Sequence, residues 1–173
     1  MRSDKPFTSA TFTKRVDHEA GRHHTSRALP EPGVCKSCGA IYTNRRWTVA
    51  ESASTLVKRP HARTFRMTLC PACKQSLAGE PRGFLFIEGA FFKEHREEIE
   101  RLLRRESERA AEVNPLGRVI RWKRDKSDKL TVSTTTEHLA QRLGHALQKA
   151  FDGKVKYDFS HENKLARVSW RRD

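Results

Sequence analysis

The chain has 173 residues, with 35 Lys and Arg against 21 Asp and Glu, a formal net charge of +14 and a pI near 10.2. That length suits one ordinary domain or two small ones, and the basic excess makes a polyanion the first partner to consider. No run approaches the ~18 apolar residues of a membrane span and the N-terminus has no apolar stretch of signal-peptide type, so a cytosolic, non-membrane protein is expected.

Residues 1–30 show neither helical nor strand periodicity and carry six basic against three acidic residues, so they read as a disordered basic arm. Residues 31–82 contain two Cys-x-x-Cys pairs, CKSCG at 35–39 and CPAC at 70–73. Two thiolates on a tight turn grip one face of a metal, and two such turns complete a tetrahedral site, so Cys35, Cys38, Cys70 and Cys73 are the expected ligands of one structural Zn2+. Without an export signal, metal binding is favoured over disulfides. His23, His24 and His61 stand near enough in sequence to replace one thiolate, and that alternative stays open. Gly39 permits positive φ at the first turn and Pro71 fixes φ in the second. Between the pairs, AIYTNRRWTV and RTFRMTL alternate as two strands, which is a zinc-ribbon layout. Residues 35–80 hold eight basic residues against Glu51 and Glu80. Arg45, Arg46, Trp47, Arg59, Arg63 and Arg66 are therefore candidates for nucleic-acid contact, Trp47 by stacking on a base.

Residues 83–113 comprise GFLFIEG, a short buried strand or extended apolar link, and a linking amphipathic helix over 91–113. Its apolar stripe runs through Phe92, Ile99, Leu102, Leu103, Ala110 and Val113. The helix balances six basic with seven acidic residues, which makes it a poor anion site.

Residues 114–173 read as strand, strand, helix, strand, strand, an α+β unit with one helix on a small antiparallel sheet. Thr134 and Glu137 fit a capping box before the helix, and Gly153 supplies its stop. Side chains at i and i+2 share a strand face. Ile120, Trp122, Val155, Tyr157, Phe159, Ala166, Val168 and Trp170 then face the helix. Arg121, Lys123, Lys154, Lys156, Arg167 and Arg171 face the other way, on an open basic surface suited to RNA. This unit carries fourteen basic and seven acidic residues.

The order CxxCG, CPxC, a GF-rich segment with a helix, TTT followed by a helix and glycine, and a closing RVxW resembles a group of short bacterial zinc-ribbon proteins over about 30–173. These are similar in turn to the zinc-binding ribosomal large-subunit export adaptor family named for nonsense-mediated decay. Members of that family usually carry further Cys-x-x-Cys pairs, and this sequence has two. The resemblance implies binding to the large ribosomal subunit through the zinc module, with the four cysteines at ligand positions.

The reading is a non-enzymatic zinc protein that binds structured RNA, ribosomal RNA of the large subunit foremost, as an assembly, quality-control or dormancy factor. Its rival is a DNA-binding regulator that uses the zinc ribbon and the basic arm, with Gln141, Arg142, His145, Gln148 and Lys149 of the C-terminal helix as the residues a recognition helix would offer. No paired carboxylates, Ser/His/Asp arrangement or phosphate-cradling glycine loop stands at motif spacing, which argues against an enzyme and a small-molecule substrate.

Overall fold

The computed structural model describes residues 29, 31–49, 66–160 and 165–173, so the N-terminal arm apart from Leu29, and His23, His24, Arg59, His61 and Arg63, lie outside the described residues. Among the described residues four three-residue strands come first: β1 (Gly33–Cys35), β2 (Ile41–Thr43), β3 (Arg46–Thr48) and β4 (Arg66–Thr68). They form a sheet of order β3-β2-β1-β4, antiparallel except for the parallel β1–β4 pair. The two-residue turn between β2 and β3 puts Asn44 and Arg45 at φ 50° and 61°. Positive φ at both positions matches the twist of a hairpin. Glu31 caps this turn, its carboxylate accepting the N–H groups of Asn44 and Arg45, both at 2.8 Å. Helix α1 (Pro71–Ala78) follows β4.

The second body contains β5 (Gly83–Glu88), α2 (Ala90–Glu94), α3 (Arg96–Val113), β6 (Val119–Arg124), β7 (Leu130–Thr134), α4 (Glu137–Phe151), β8 (Lys154–Ser160) and β9 (Leu165–Arg171). The α+β class and the order of zinc-ribbon-like cluster, helix and sheet unit agree with expectation. The sheet, however, has five strands in the order β6-β7-β5-β9-β8. The GFLFIE segment is its central strand, antiparallel to β7 and parallel to β9. Of the two readings of this segment the strand holds, and the sheet begins at residue 83 rather than 114. The expected single helix breaks at His95 into α2 and α3, and α3 packs on α4 of the sheet unit. Val113, expected on its apolar stripe, is 82% exposed because the helix has run past the core by then.

One face of the sheet carries the core. Leu85, Ile87, Val132, Val168 and Trp170 are fully buried with Leu143 and Leu147 of α4 and Ile99 and Leu103 of α3. Trp170 donates its indole N–H to the Asp152 carbonyl at 2.7 Å. Trp122, on the same side near the β6 edge, is half-buried beneath the Arg104 guanidinium, 4.8 Å from the ring centroid. Helix and sheet meet closely at Gly144, where an added Cβ would lie 2.5 Å from Val168 Cγ1.

Three consecutive threonines do three jobs. Thr136, not Thr134, is the N-cap of α4, its side chain accepting the Leu139 N–H at 3.2 Å. Thr134 ends β7 and is buried, its hydroxyl bonded to the Thr136 carbonyl at 2.8 Å. The Thr135 hydroxyl donates to the Leu116 carbonyl at 2.6 Å and accepts the Arg118 N–H at 2.8 Å. Buried Gln75 of α1 donates to the Thr135 carbonyl at 2.8 Å, and Leu116 packs against the cysteine cluster. This segment therefore joins the two bodies.

Gly144→Ala is expected to cost about 1–3 kcal/mol by overpacking. Combining it with Val168→Ala should cost less than the sum of the two single changes, measured by urea unfolding.

Candidate metal centre and basic sheet face

Parallel pairing of β1 with β4 sets Cys35 beside Thr68, two residues before Cys70, so both cysteine pairs leave the same end of the small sheet. The first pair lies on a knuckle: the Cys35 N–H donates to the Ala40 carbonyl at 2.8 Å, and the Gly39 N–H to the Cys35 carbonyl at 2.9 Å. Gly39 takes φ 73°, as the knuckle requires. In the second pair, Cys70 is the N-cap of α1 and Pro71 stands in its first turn, where a missing N–H costs nothing. Helix geometry then turns Cys73 back toward Cys70.

All four Sγ atoms lie within 4.8 Å of one another. Cys38 Sγ and Cys70 Sγ are 3.7 Å apart. Zn–S bonds of about 2.3 Å in a tetrahedron place sulfurs roughly 3.8 Å apart, so this spacing fits zinc and is far too long for a disulfide. Cys35, Cys70 and Cys73 are buried and Cys38 is half-buried. Four thiolates leave no open position for water or substrate, which makes the site structural. The N–H groups of Cys70 and Cys73 donate to Cys35 Sγ at 3.3 Å and Cys70 Sγ at 3.4 Å. Burial raises the Cys38 thiol pKa, and the Arg118 charge opposes part of that rise. These groups offset the negative charge of a four-thiolate site.

Burial raises the Cys35 thiol pKa, but the N–H groups of Cys70, Cys38 and Ser37 outweigh it and bring it down to about 6. Burial pushes Cys38 and Cys70 up instead. One thiolate therefore forms readily, whereas Cys38 and Cys70 need a cation beside them.

The ribbon candidates separate. Arg45, Arg46 and Arg66 are exposed, Arg45 at the turn capped by the Glu31 carboxylate. Trp47 is 9% exposed and lies against Tyr42, ring centroids 5.2 Å apart, within the cysteine module's core. Its ring is covered, which removes the expected surface for base stacking. Basic neighbours do not expose a strand residue when the alternation turns it inward.

On the large sheet the register brings the six C-terminal candidates together. Lys123, Thr131, Phe86, Ser169 and Lys156 form one row across the strands, and Arg121, Ser133, Phe84, Arg167 and Asp158 form the next. Glu88, Arg171 and Lys154 follow one another across β5, β9 and β8 in a third row. All six Lys and Arg are exposed on the face opposite the helices. Arg171 reaches the carboxylates of Asp173 at 3.0 Å and Glu88 at 3.8 Å, and Lys129 binds Glu88 at 2.7 Å. Arg121, Lys123, Lys156 and Arg167 have no ion-pair partner among the described residues. Their charge remains directed at solvent.

The centre of this face carries Phe84 and Phe86, which sequence reading did not single out. Their ring centroids are 5.9 Å apart with an interplanar angle of 13°. A strand apolar on both parities reads as fully buried, yet its aliphatic residues occupy one parity and its aromatic residues the other, and that segregation is the available signal. Comparison with protein-family models, curated proteins and solved structures returns no match.

The protein is expected to bind one Zn2+ per chain, with Cys70→Ser abolishing stoichiometric binding in elemental analysis. Because Cys38 and Cys70 must each release a proton, apparent zinc affinity should rise about a hundredfold per pH unit from those two groups between pH 7 and 8. Zinc retention should fall as pH falls, as competition with a metal-binding chromophore would measure.

Proposed function

We propose that this protein is a non-enzymatic, cytosolic RNA-binding protein of the large ribosomal subunit, acting in assembly, quality control or dormancy. The observation that carries the reading is the open sheet face, where six Lys and Arg converge opposite the helix-packed core. Exposed guanidinium and ammonium groups attract phosphate at long range and neutralise it on contact. The ribosomal part rests on the resemblance of the cysteine pairs, the TTT segment and the RVxW strand to proteins similar to the export adaptor family. The zinc module supports the sheet by holding the Gln75 and Leu116 joint, and offers Arg45, Arg46 and Arg66 as auxiliary contacts.

The DNA-reading alternative loses part of its surface. Gln141 is 6% exposed, and Arg142 binds Glu106 of α3 at 3.1 Å. Two of the five residues offered to a groove are therefore engaged within the fold, and RNA is the better partner.

The protein should cosediment with purified large subunits at low salt and dissociate as salt rises. No association at low salt would refute the ribosomal assignment. Combined Arg121→Ala and Lys123→Ala should leave the melting temperature unchanged and reduce the slope of log affinity against log salt by roughly two. Trp122→Ala, on the opposite parity of the same strand, should instead cost about 2 kcal/mol of stability.

A further inference from the structure

Phe84 and Phe86 occupy an unusual place. The helices cover the other side of the sheet, so burial within the core accounts for Leu85 and Ile87 but not for these two rings. Phe86 is 36% exposed and Phe84 partly so. Thr131 and Ser169, with small polar side chains, flank Phe86 across the strands, while Phe84 lies between Ser133 and the exposed Arg167. Beyond these neighbours stand Lys123 and Lys156, each two strands and about 10 Å from Phe86 along the row. An aromatic centre with cations on both sides matches the two parts of a nucleotide: a flat base and a charged phosphate.

We infer that Phe84 and Phe86 form a stacking platform for unpaired bases of a single-stranded RNA segment crossing the sheet, with cations on the flanking strands holding its phosphates. This inference rests on the proposed RNA-binding role and specifies which part of the RNA is gripped. Aromatic rings on an exposed sheet stack against bases whose faces are free, whereas a duplex hides those faces between neighbouring pairs. The chain's own undescribed segments are poor occupants by charge. Residues 1–28 carry six Lys and Arg against three Asp and Glu, and 50–65 carry three against one, so both have the same sign of charge as this surface.

The test uses the full-length, zinc-loaded protein and fluorescence anisotropy with three probes: an unstructured RNA of about 12 nucleotides, its RNA duplex, and the corresponding single-stranded DNA. The single-stranded RNA should bind at least about tenfold more tightly than the duplex. The double substitution Phe84→Leu and Phe86→Leu keeps the apolar bulk while removing the aromatic faces. It should weaken single-strand binding by roughly tenfold to a hundredfold and leave duplex binding and melting temperature unchanged. Wild-type RNA binding that is equal for both RNA forms, or unaffected by the double substitution, would overturn the platform while leaving the RNA-binding role intact. A fall in melting temperature with unaltered RNA binding would assign the rings to folding or to cover by other segments, and would also overturn it. No RNA binding at low salt would remove the underlying role, while a clear preference for the DNA strand would overturn RNA as the ligand and retain the platform.

Discussion

The pairing of β5 between β7 and β9 sets both faces of the sheet. Its register brings Leu85 opposite Val132 and Val168, which places three buried residues in one row, and leaves Phe84 and Phe86 on the reverse side. A one-residue slip would exchange these sets, burying aromatic rings under α4 and exposing the aliphatic core. Gly83 helps prevent it. A Cβ there would come within 2.4 Å of Thr134 Oγ1 and 2.7 Å of the Ala140 side chain, so only glycine fits beneath the start of α4. The proposed RNA surface is the obligatory reverse of the hydrophobic core, held by the same hydrogen bonds.

The cysteine module complements this arrangement with a different source of order. Its strands are three residues long and its buried set is small, centred on Tyr42, Trp47 and the cysteines themselves. Metal coordination supplies the cross-linking that such a short core lacks. The separate core of the five-stranded sheet does not depend on thiolates. Communication between them passes through the Gln75 bond to Thr135 and the packing of Leu116, so the metal positions the module against the sheet rather than building the sheet.

The sequence made some of this legible because the relevant signals are local. Cys-x-x-Cys spacing specifies the ligand turns without knowledge of what lies between them, and alternation along β8 and β9 correctly assigns Lys156 and Arg167 to the face opposite Tyr157 and Val168. Nonlocal facts were hidden. Strand β5 is apolar at four successive positions, Phe84 to Ile87, so composition could not reveal which parity was buried or that its partners lie about 45 and 80 residues away. Three adjacent threonines offered several possible caps, and only the end of β7 selected Thr136. Trp47 misled through its neighbours: the positive-φ turn at Asn44 and Arg45 points the arginines outward and the indole inward. The basic sheet face was visible before its aromatic centre because charged residues advertise exposure, whereas phenylalanine ordinarily signals burial.

Ultraviolet cross-linking of bound RNA followed by mass spectrometry of the cross-linked peptides tests the central claim most directly. RNA held by the open face should mark peptides from β5, β6 and β9, with Phe84 or Phe86 among the modified positions. Cross-links confined to α3, α4 or the cysteine module, with the open face unmarked, would contradict the account.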